Sequence, residues 1–491
     1  MLMFNWLDYW RLADPGREAL FDVASGRRYS YSDLAAESLG QVARLHSVGI
    51  RPGDRIAALI GNRPEMLTLL FACAREGAIL VPLNYRLSAA EVAAVLDDAG
   101  PRLILSAPEH RDLLDRFVPP DNCEIVDIEQ WQARHQEPVV TGYESDPESP
   151  VLILYTSGTT GKPKGVVQSQ RMIGWNALNT ALSWELTPGD CALVHTPFFH
   201  TGGLHVLTTP LLQRGGRLVL LAAFNAQAAL SLVQQERISV LFAVPTMFRM
   251  LADSSSFHLT DFGSVRFCIS GGAPCPLDLI ERYQQRGLVF RQGYGLTEAG
   301  PNCLTLQAAD SIRKMGSVGR ANVFTRLRCV DERGEVVVAG GVGELQLAGP
   351  MLCSGYWQNP TENRLLFDGE WLKTGDLARF DDEGFCYIVD RRKDMYISGG
   401  ENVYPAEVEA ALQQHPAIRE VAVLGVPDAR WGEVGRAFVV IKEGEHGDEA
   451  QLLAFAARHL ARYKLPRDIV FRSEPLPRTT TGKILKKLLK G

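Results

Sequence analysis

The stretch "ILYTSGTTGKPKGVV" runs from Ile153 to Val167. It contains the end of the apolar run "VLILY", which reads as a buried strand. Between Tyr155 and Gly165 it gathers hydroxyls (Thr156, Ser157, Thr159, Thr160), glycines (Gly158, Gly161, Gly165) and lysines (Lys162, Lys164). Glycine lets the backbone approach a ligand closely, successive N–H groups make an anion nest, and lysine adds mobile charge. A polar surface loop between strands can share that composition, so the loop alone leaves both readings open. A Walker A loop is excluded on spacing. It needs a glycine five residues before its Gly-Lys pair and a Ser or Thr after it. Those places hold Thr156 and Pro163.

Around the loop, short apolar runs alternate with helical patterns. "RIAALIGN", "AILVPLN" and "RLILSA" read as strands separated by the helices "PEMLTLLFACAREG" and "SAAEVAAVLDDAG"; the rhythm returns in "RLVLL", "AQAALSLVQQERI" and "VLFAVP". That predicts an α/β fold with parallel sheets covered by helices. From Ser317 to Gly349 the pattern becomes alternating strands split by Asp331-Glu332-Arg333-Gly334, which predicts a small β-barrel-like subdomain. After "GFCYIVDRRKDMYISGGENVYP" a second pattern begins, with helices in "PAEVEAALQQHP" and "EAQLLAFAARHLARY" and strands in "VAVLGVPD" and "AFVVIKE". The charged "DRRKD" reads as an interdomain joint. The expected division is an N-terminal domain at 1–390, a hinge at 391–393 and a small α+β C-terminal domain at 394–491. The final "KILKKLLK" is expected to set Ile484, Leu485, Leu488 and Leu489 on one helical face, docked on that small domain.

With 46% hydrophobic and 22% charged residues, the 491-residue chain has ample material for a core. A net charge of −6 gives no broad basic field, which argues against nucleic acid as a partner. Nine cysteines stand without a CxxC pair, so they read as small core hydrophobes in a reducing compartment rather than as zinc ligands. The start, "MLMFNWLDYWRLADPG", is interrupted by Asp8 and Arg11 and lacks the basic segment of a signal peptide. No stretch approaches the roughly 20 apolar residues of a membrane helix. The expectation is a cytoplasmic protein with no integral membrane segment; a homodimer is left open.

Five motifs occur in order: "YTSGTTGKPKG", "GYGLTEAG" (Gly293–Gly300), "TGDLARFDDEG" (Thr374–Gly384), "DRRKDMYISGGENVYP" (Asp390–Pro405) and "PRTTTGKILK" (Pro477–Lys486). Together they resemble the adenylate-forming superfamily, which includes acyl-CoA synthetases, luciferases and the adenylation domains of peptide synthetases. The resemblance spans most of the chain and implies ATP, Mg2+ and coenzyme A as cofactor and co-substrates, with a mobile C-terminal domain. It implies that Thr156, Ser157, Gly158, Thr159, Thr160, Gly161, Lys162 and Lys164 hold the β- and γ-phosphates of ATP. Tyr294, between Gly293 and Gly295, would stack on adenine. Gly271, Gly272 and Ala273 of "SGGAP" would line the adenine and acyl pockets. Asp376 would accept both ribose hydroxyls, and Arg391 would reach the ribose or phosphate. Glu298 would hold Mg2+, with Thr297 on the phosphate side. Lys483, on the flexible "TTTGK" turn, would be the catalytic lysine bridging the substrate carboxylate and the α-phosphate. His200 in "PFFHTGGL" would lie near the acyl carboxylate. Lys393 would be the hinge, where several relatives have Asp, and Gly399 and Gly400 would pass the pantetheine arm of CoA.

Taken singly, these residues have plainer readings: Thr297-Glu298 as a helix cap, Gly375-Asp376 as a turn, His200 as a packing residue beside Phe198 and Phe199, Lys483 as a solvated lysine. The ordered set is what points to chemistry. A carboxylate is a poor acyl donor to a thiol because oxide is its leaving group. Attack on the α-phosphate of ATP converts it to an acyl-adenylate and releases pyrophosphate. Both reactants are anions, so cations must bring them together. The function implied is an ATP-dependent carboxylic acid–CoA ligase; the alternative is a stand-alone adenylating enzyme that loads an acyl carrier protein. The acyl pocket would comprise His200, Gly203, Val206, Val244, Gly272 and Leu304. Its mainly apolar surface disfavours a second carboxylate on the substrate. The overall look is closest to bacterial fatty-acyl-CoA and feruloyl-CoA ligases, with a medium- or long-chain fatty acid or an arylpropenoic acid as substrate.

Overall fold

The apolar runs on either side of the loop become two helix-covered sheets. The structure, a computed structural model, describes residues 5–134, 146–157, 163–273, 275–391, 394–398, 401–428, 431–460, 462–479 and 482–489. A seven-stranded sheet is parallel through Ile79–Pro82, Arg55–Leu59, Leu103–Ser106 and Glu124–Asp127. Pro150–Ser157 joins it in parallel at Ile79–Pro82, and Pro163–Ser169 then turns back antiparallel. The crossover helix Pro64–Glu76 starts with proline in its first turn and ends at Gly77 with φ of 70°. Both suit the termini: proline gives up only an N–H with no helical partner, and glycine accepts the left-handed turn. The next helix, Ala89–Ala99, is closed by a capping box between Ser88 and Glu91.

The second sheet has nine strands, with Cys191–Val194, Val240–Ala243, Phe267–Ser270 and Phe290–Leu296 adjacent and parallel in its middle. Alternation along these strands feeds two apolar layers. Ala192, Val194, Phe242 and Ile269 enter one, and Leu193, Leu241 and Cys268 the other. Burial on both faces is why these strands read as continuous apolar runs.

The chain falls into two compact units. One comprises Met1–Met315, Ala321–Arg326 and Leu347–Leu372; the other comprises Gly316–Arg320, Leu327–Gln346 and Lys373–Gly491. The second therefore takes in most of the small sheet expected after Ser317 as well as the C-terminal region. In that sheet Val342–Ala348 lies between Arg326–Val330 and Trp371–Phe380, and the expected turn forms with Gly334 N–H donating to the Asp331 carbonyl at 3.1 Å. In the C-terminal region a long hairpin pairs Ile418–Asp428 with Gly432–Ile441. Its period of two sends Val421 and Val423 to one apolar cluster, with Val408 and Leu412 of the Pro405–Gln413 helix, and Ala422 and Leu424 to another. That second cluster holds Leu476, Ile484 and Leu489. The terminal helix with four apolar residues on one face does not form. Only Lys486–Leu489 coils, as a single 3-10 turn whose spacing leaves Leu488 exposed while Leu489 is buried. No helix among the described residues is long and apolar enough to cross a membrane.

Candidate active site

In parallel sheets, ligands bind beyond the carboxyl ends of the strands, and four adjacent strands deliver the predicted residues there. Val194 leads into the segment carrying His200, Ala243 into Val244, Ser270 into Gly271–Ala273, and Phe290–Leu296 itself carries Gly293, Tyr294 and Gly295. These segments touch. A Cβ on Gly271 would lie 3.4 Å from the Gly293 carbonyl oxygen and 3.7 Å from the Phe242 ring. One on Gly272, whose φ is +82°, would lie 3.6 Å from Val244, and one on Gly202 3.6 Å from Phe242. Phe242 thus lies against both the histidine loop and the glycine loop. Two glycines answer to backbone packing before any ligand: a Cβ would meet the Pro197 carbonyl oxygen at 2.2 Å at Gly203, and the Pro301 carbonyl carbon at 2.2 Å at Gly295.

His200 precedes the short Thr201–Leu204 helix, with its ring tilted against Phe199. Phe199 in turn meets Tyr85, which stacks on His110. The surrounding protein, helped by the Arg86 cation, pushes His200 down to about 4, so the ring is neutral at pH 7. Val206 and Leu304 are closed into the core. Asn302 donates to the Val206 carbonyl at 3.1 Å, and Leu304 sits opposite Tyr294 in the strand pair that follows.

The antiparallel pair Pro150–Ser157 and Pro163–Ser169 presents both ends of the glycine-rich loop, with Thr156 opposite Lys164 and Ser157 opposite Pro163. Gly158, Thr159, Thr160, Gly161 and Lys162 lie outside the described residues, as does the Ser157 side chain. The Lys164 ammonium is engaged by the Glu362 carboxylate at 2.8 Å and lies 5.2 Å over the Tyr356 ring. Beside this pair is the Thr297-Glu298 corner. Gln168 donates its amide to the Thr297 carbonyl at 3.1 Å, and Cys353 N–H donates to the Glu298 carbonyl at 2.8 Å. The Tyr356 hydroxyl donates to Glu298 Oε1 at 2.8 Å. Glu298 Oε2 has no hydrogen-bond partner among the described residues.

That free oxygen suits a hard cation held by few protein ligands. Magnesium keeps water and substrate phosphate in most of its octahedron. The described residues contain no cluster of three or more acidic, histidine or cysteine side chains arranged to hold a metal by themselves. Tyr356, Gln168 and Glu362 escape a reading of the sequence. Tyr356 lies 58 residues from Glu298, and the pairing of Gly355–Tyr356 with Val166 and Val167, with the Cys353 N–H bond to the Glu298 carbonyl, brings it there.

In the second unit, Asp376 and Arg391 are register partners on neighbouring antiparallel strands. Thr374 and Gly375 fix the approach to Asp376. The Thr374 hydroxyl donates to the Leu345 carbonyl at 2.7 Å and accepts from Asp376 N–H at 3.1 Å, while Gly375 N–H donates to Glu344 at 3.2 Å. Asp390 serves the fold, since its carboxylate accepts from Ala406 N–H at 2.8 Å and so caps the Pro405–Gln413 helix. Lys483 is exposed on a turn closed by Thr479 and Gly482. Lys393, Gly399 and Gly400 lie outside the described residues, and so does the Arg391 side chain.

The family model for the AMP-binding enzyme matches residues 8–357, and that for the AMP-binding enzyme C-terminal domain matches residues 407–483. A feruloyl-CoA synthase from an Amycolatopsis species is 40% identical over 94% of this chain and 93% of its own. A long-chain-fatty-acid–CoA ligase of Mycobacterium tuberculosis is 36% identical over 97% of this chain and 95% of its own. Among solved structures, the o-succinylbenzoate CoA synthetase of Bacillus subtilis in complex with its acyl-adenylate intermediate has a TM-score of 0.91 and 32% identity, over 99% of this chain and 98% of that one.

Proposed function

The chain belongs to the AMP-binding enzyme family, and from that membership we propose that it is an ATP-dependent carboxylic acid–CoA ligase acting through an acyl-adenylate. The observation that carries the reading is the Tyr294–Glu298 corner. There one strand end offers an aromatic ring, a hydroxyl and a carboxylate with one anchored and one free oxygen, beside the strands that hold the phosphate-type loop.

In the first step a carboxylate oxygen of the substrate attacks the α-phosphorus of ATP. The bond to the β,γ-pyrophosphate breaks, leaving acyl-adenylate and pyrophosphate. Lys483 supplies the cation shared by the two approaching anions, Thr297 a hydroxyl on the phosphate side, and Asp376 the acceptor for the ribose hydroxyls. Magnesium, when bound at Glu298, neutralises phosphate charge that would repel the nucleophile. In the second step the CoA thiolate attacks the acyl carbon and the bond to AMP breaks. A free thiol has a pKa of about 8.5, so part of it is already ionised at neutral pH. His200, held neutral, contributes shape and a hydrogen-bonding edge near the carboxylate rather than charge.

For the acyl group we propose a medium- or long-chain fatty acid or an arylpropenoic acid. The feruloyl and long-chain relatives and the apolar Phe242 and Val244 beside Gly271 and Gly272 support it. A screen of carboxylic acids by pyrophosphate release, with and without CoA, tests both parts. CoA-dependent acyl-CoA and AMP formation is expected. Turnover only with an acyl carrier protein would move the assignment to carrier loading, and no pyrophosphate release with any acid would remove it.

A further inference from the structure

We infer that Tyr356 is a positioning residue that aims the Glu298 carboxylate at magnesium. This rests on the reading of Glu298 as the magnesium-binding carboxylate. The terminal torsion of a glutamate is broad, so its two oxygens are not fixed by rotamer preference alone. The Tyr356 hydroxyl, a donor at neutral pH, takes Oε1 at 2.8 Å and so fixes that torsion with Oε2 turned away from it.

The tyrosine is itself held on three sides. Its backbone pairs with Val166. Asn363 grips it from both ends, accepting from Tyr356 N–H at 2.6 Å and donating to the Tyr356 carbonyl at 3.0 Å. The grip leaves no room before it: Gly355 has φ of +116°, and a Cβ there would lie 2.8 Å from Asn363 Oδ1. Over the ring face lies the Lys164 ammonium, kept there by Glu362, a neighbour of Asn363 on the Pro360–Leu366 helix. An ammonium over a ring is attracted by its π face. Lys164, expected on the phosphates, here also covers the tyrosine ring. Such a buttress is costly to build if Glu298 needs no fixed direction. A group that orients a metal ligand is commonly worth 10–100-fold in metal affinity.

Tyr356→Phe removes one oxygen and keeps the ring under Lys164. The Mg2+ concentration for half-maximal ATP–pyrophosphate exchange should rise about tenfold or more, with the rate at saturating Mg2+ within a few-fold of the parent. Mn2+ binding to the enzyme with α,β-methylene-ATP, followed by the free-ion electron paramagnetic resonance signal, should weaken by a similar factor. A folded Tyr356→Phe variant with parental Mg2+ dependence and parental Mn2+ binding overturns the inference. Glu298→Gln separates the two layers, since its amide oxygen still accepts from Tyr356. If it weakens Mn2+ binding and Tyr356→Phe does not, only the positioning role falls. If Glu298→Gln leaves Mn2+ binding unchanged, the magnesium reading of Glu298 falls first. Should Tyr356→Phe be unfolded at the assay temperature, Asn363→Ala provides the second route. It should shift Mn2+ binding in the same direction by a smaller factor, and no shift there also overturns the inference.

Discussion

Asp376 stands directly opposite Arg391 in an antiparallel ladder, so the two residues expected to meet the ribose are brought to one place by strand register. The ladder slips by one residue immediately afterwards, between Leu377 and Ala378. Asp376→Ala should raise the KM for ATP at least tenfold. Each charge-assisted hydrogen bond contributes about 1.5–3 kcal/mol, and a ribose offers two hydroxyls. The backbone bonds of Thr374 and Gly375 survive the substitution, so folding should not be the cause. An unchanged ATP dependence removes Asp376 from the site.

Two glycines of the proposed site separate stability from selectivity. At Gly295 an added methyl runs into the backbone of Pro301 at 2.2 Å, and backbone cannot swing aside. Gly295→Ala should cost about 1–3 kcal/mol or more, read as a lowered denaturant midpoint. At Gly272 the nearest atom is the Val244 side chain at 3.6 Å, so the cost is mainly the positive φ, about 1–2 kcal/mol. Gly272→Ala should instead change the preference among acids of different bulk. Equal stability losses, with no change in acid preference, would contradict this division.

Acid should weaken the fold through buried neutral histidines. Burial pushes His195 to about 4, only partly offset by the Phe242 backbone, and pushes His205 to about 3. Unfolded, each titrates near 6.5. Between those values the unfolded chain binds more protons, so stability is full above about pH 6.5 and is lost as pH falls toward the folded pKa. For His195 the loss by pH 5 is about 2 kcal/mol. His195 packs against Phe224, and His195→Leu should flatten that part of the decline in urea midpoints measured at pH 7.5 and pH 5. An identical decline in both proteins would show that His195 is not what acid titrates.

The α/β fold was legible because its middle strands are buried on both faces and therefore apolar throughout, as in "VLFA" of Val240–Ala243. The proposed site residues stand out only as ordered motifs; singly, Asp376 or Lys483 carries no signal. What stayed hidden depends on contacts distant in sequence. Nothing near "GYWQNP" announces that Tyr356 will reach Glu298, and nothing near Lys164 announces that Glu362 will meet its ammonium. The terminal helix failed for a local reason. A stretch of "KILKKLLK" has the right period on paper, but Ile484 is committed to a bridge with Arg478, and the coil is confined to Lys486–Leu489 among the described residues.

That bridge bears on the last prediction. Arg478 and Ile484 close a turn in which Thr479 N–H donates to the Lys483 carbonyl at 2.6 Å and the Thr479 hydroxyl accepts from Lys483 N–H at 3.1 Å. Gly482 takes φ of +83° inside it, and Arg478 ties its carbonyl at 2.8 Å while pairing with Glu420 at 2.9 Å. The backbone of Lys483 is therefore fixed by neighbours, whereas its side chain is exposed. Lys483→Ala should remove the ammonium and leave the turn standing. Pyrophosphate release should fall about 10²–10³-fold, the scale for losing one preorganised group that stabilises developing charge. Thioester formation from presynthesised acyl-adenylate should stay within a few-fold of the parent, because that step joins no second phosphate anion to the carboxylate. Single-turnover assays of each half-reaction make the comparison. Equal losses in both, from a variant with parental thermal stability, would mean that Lys483 does not bring the two anions together.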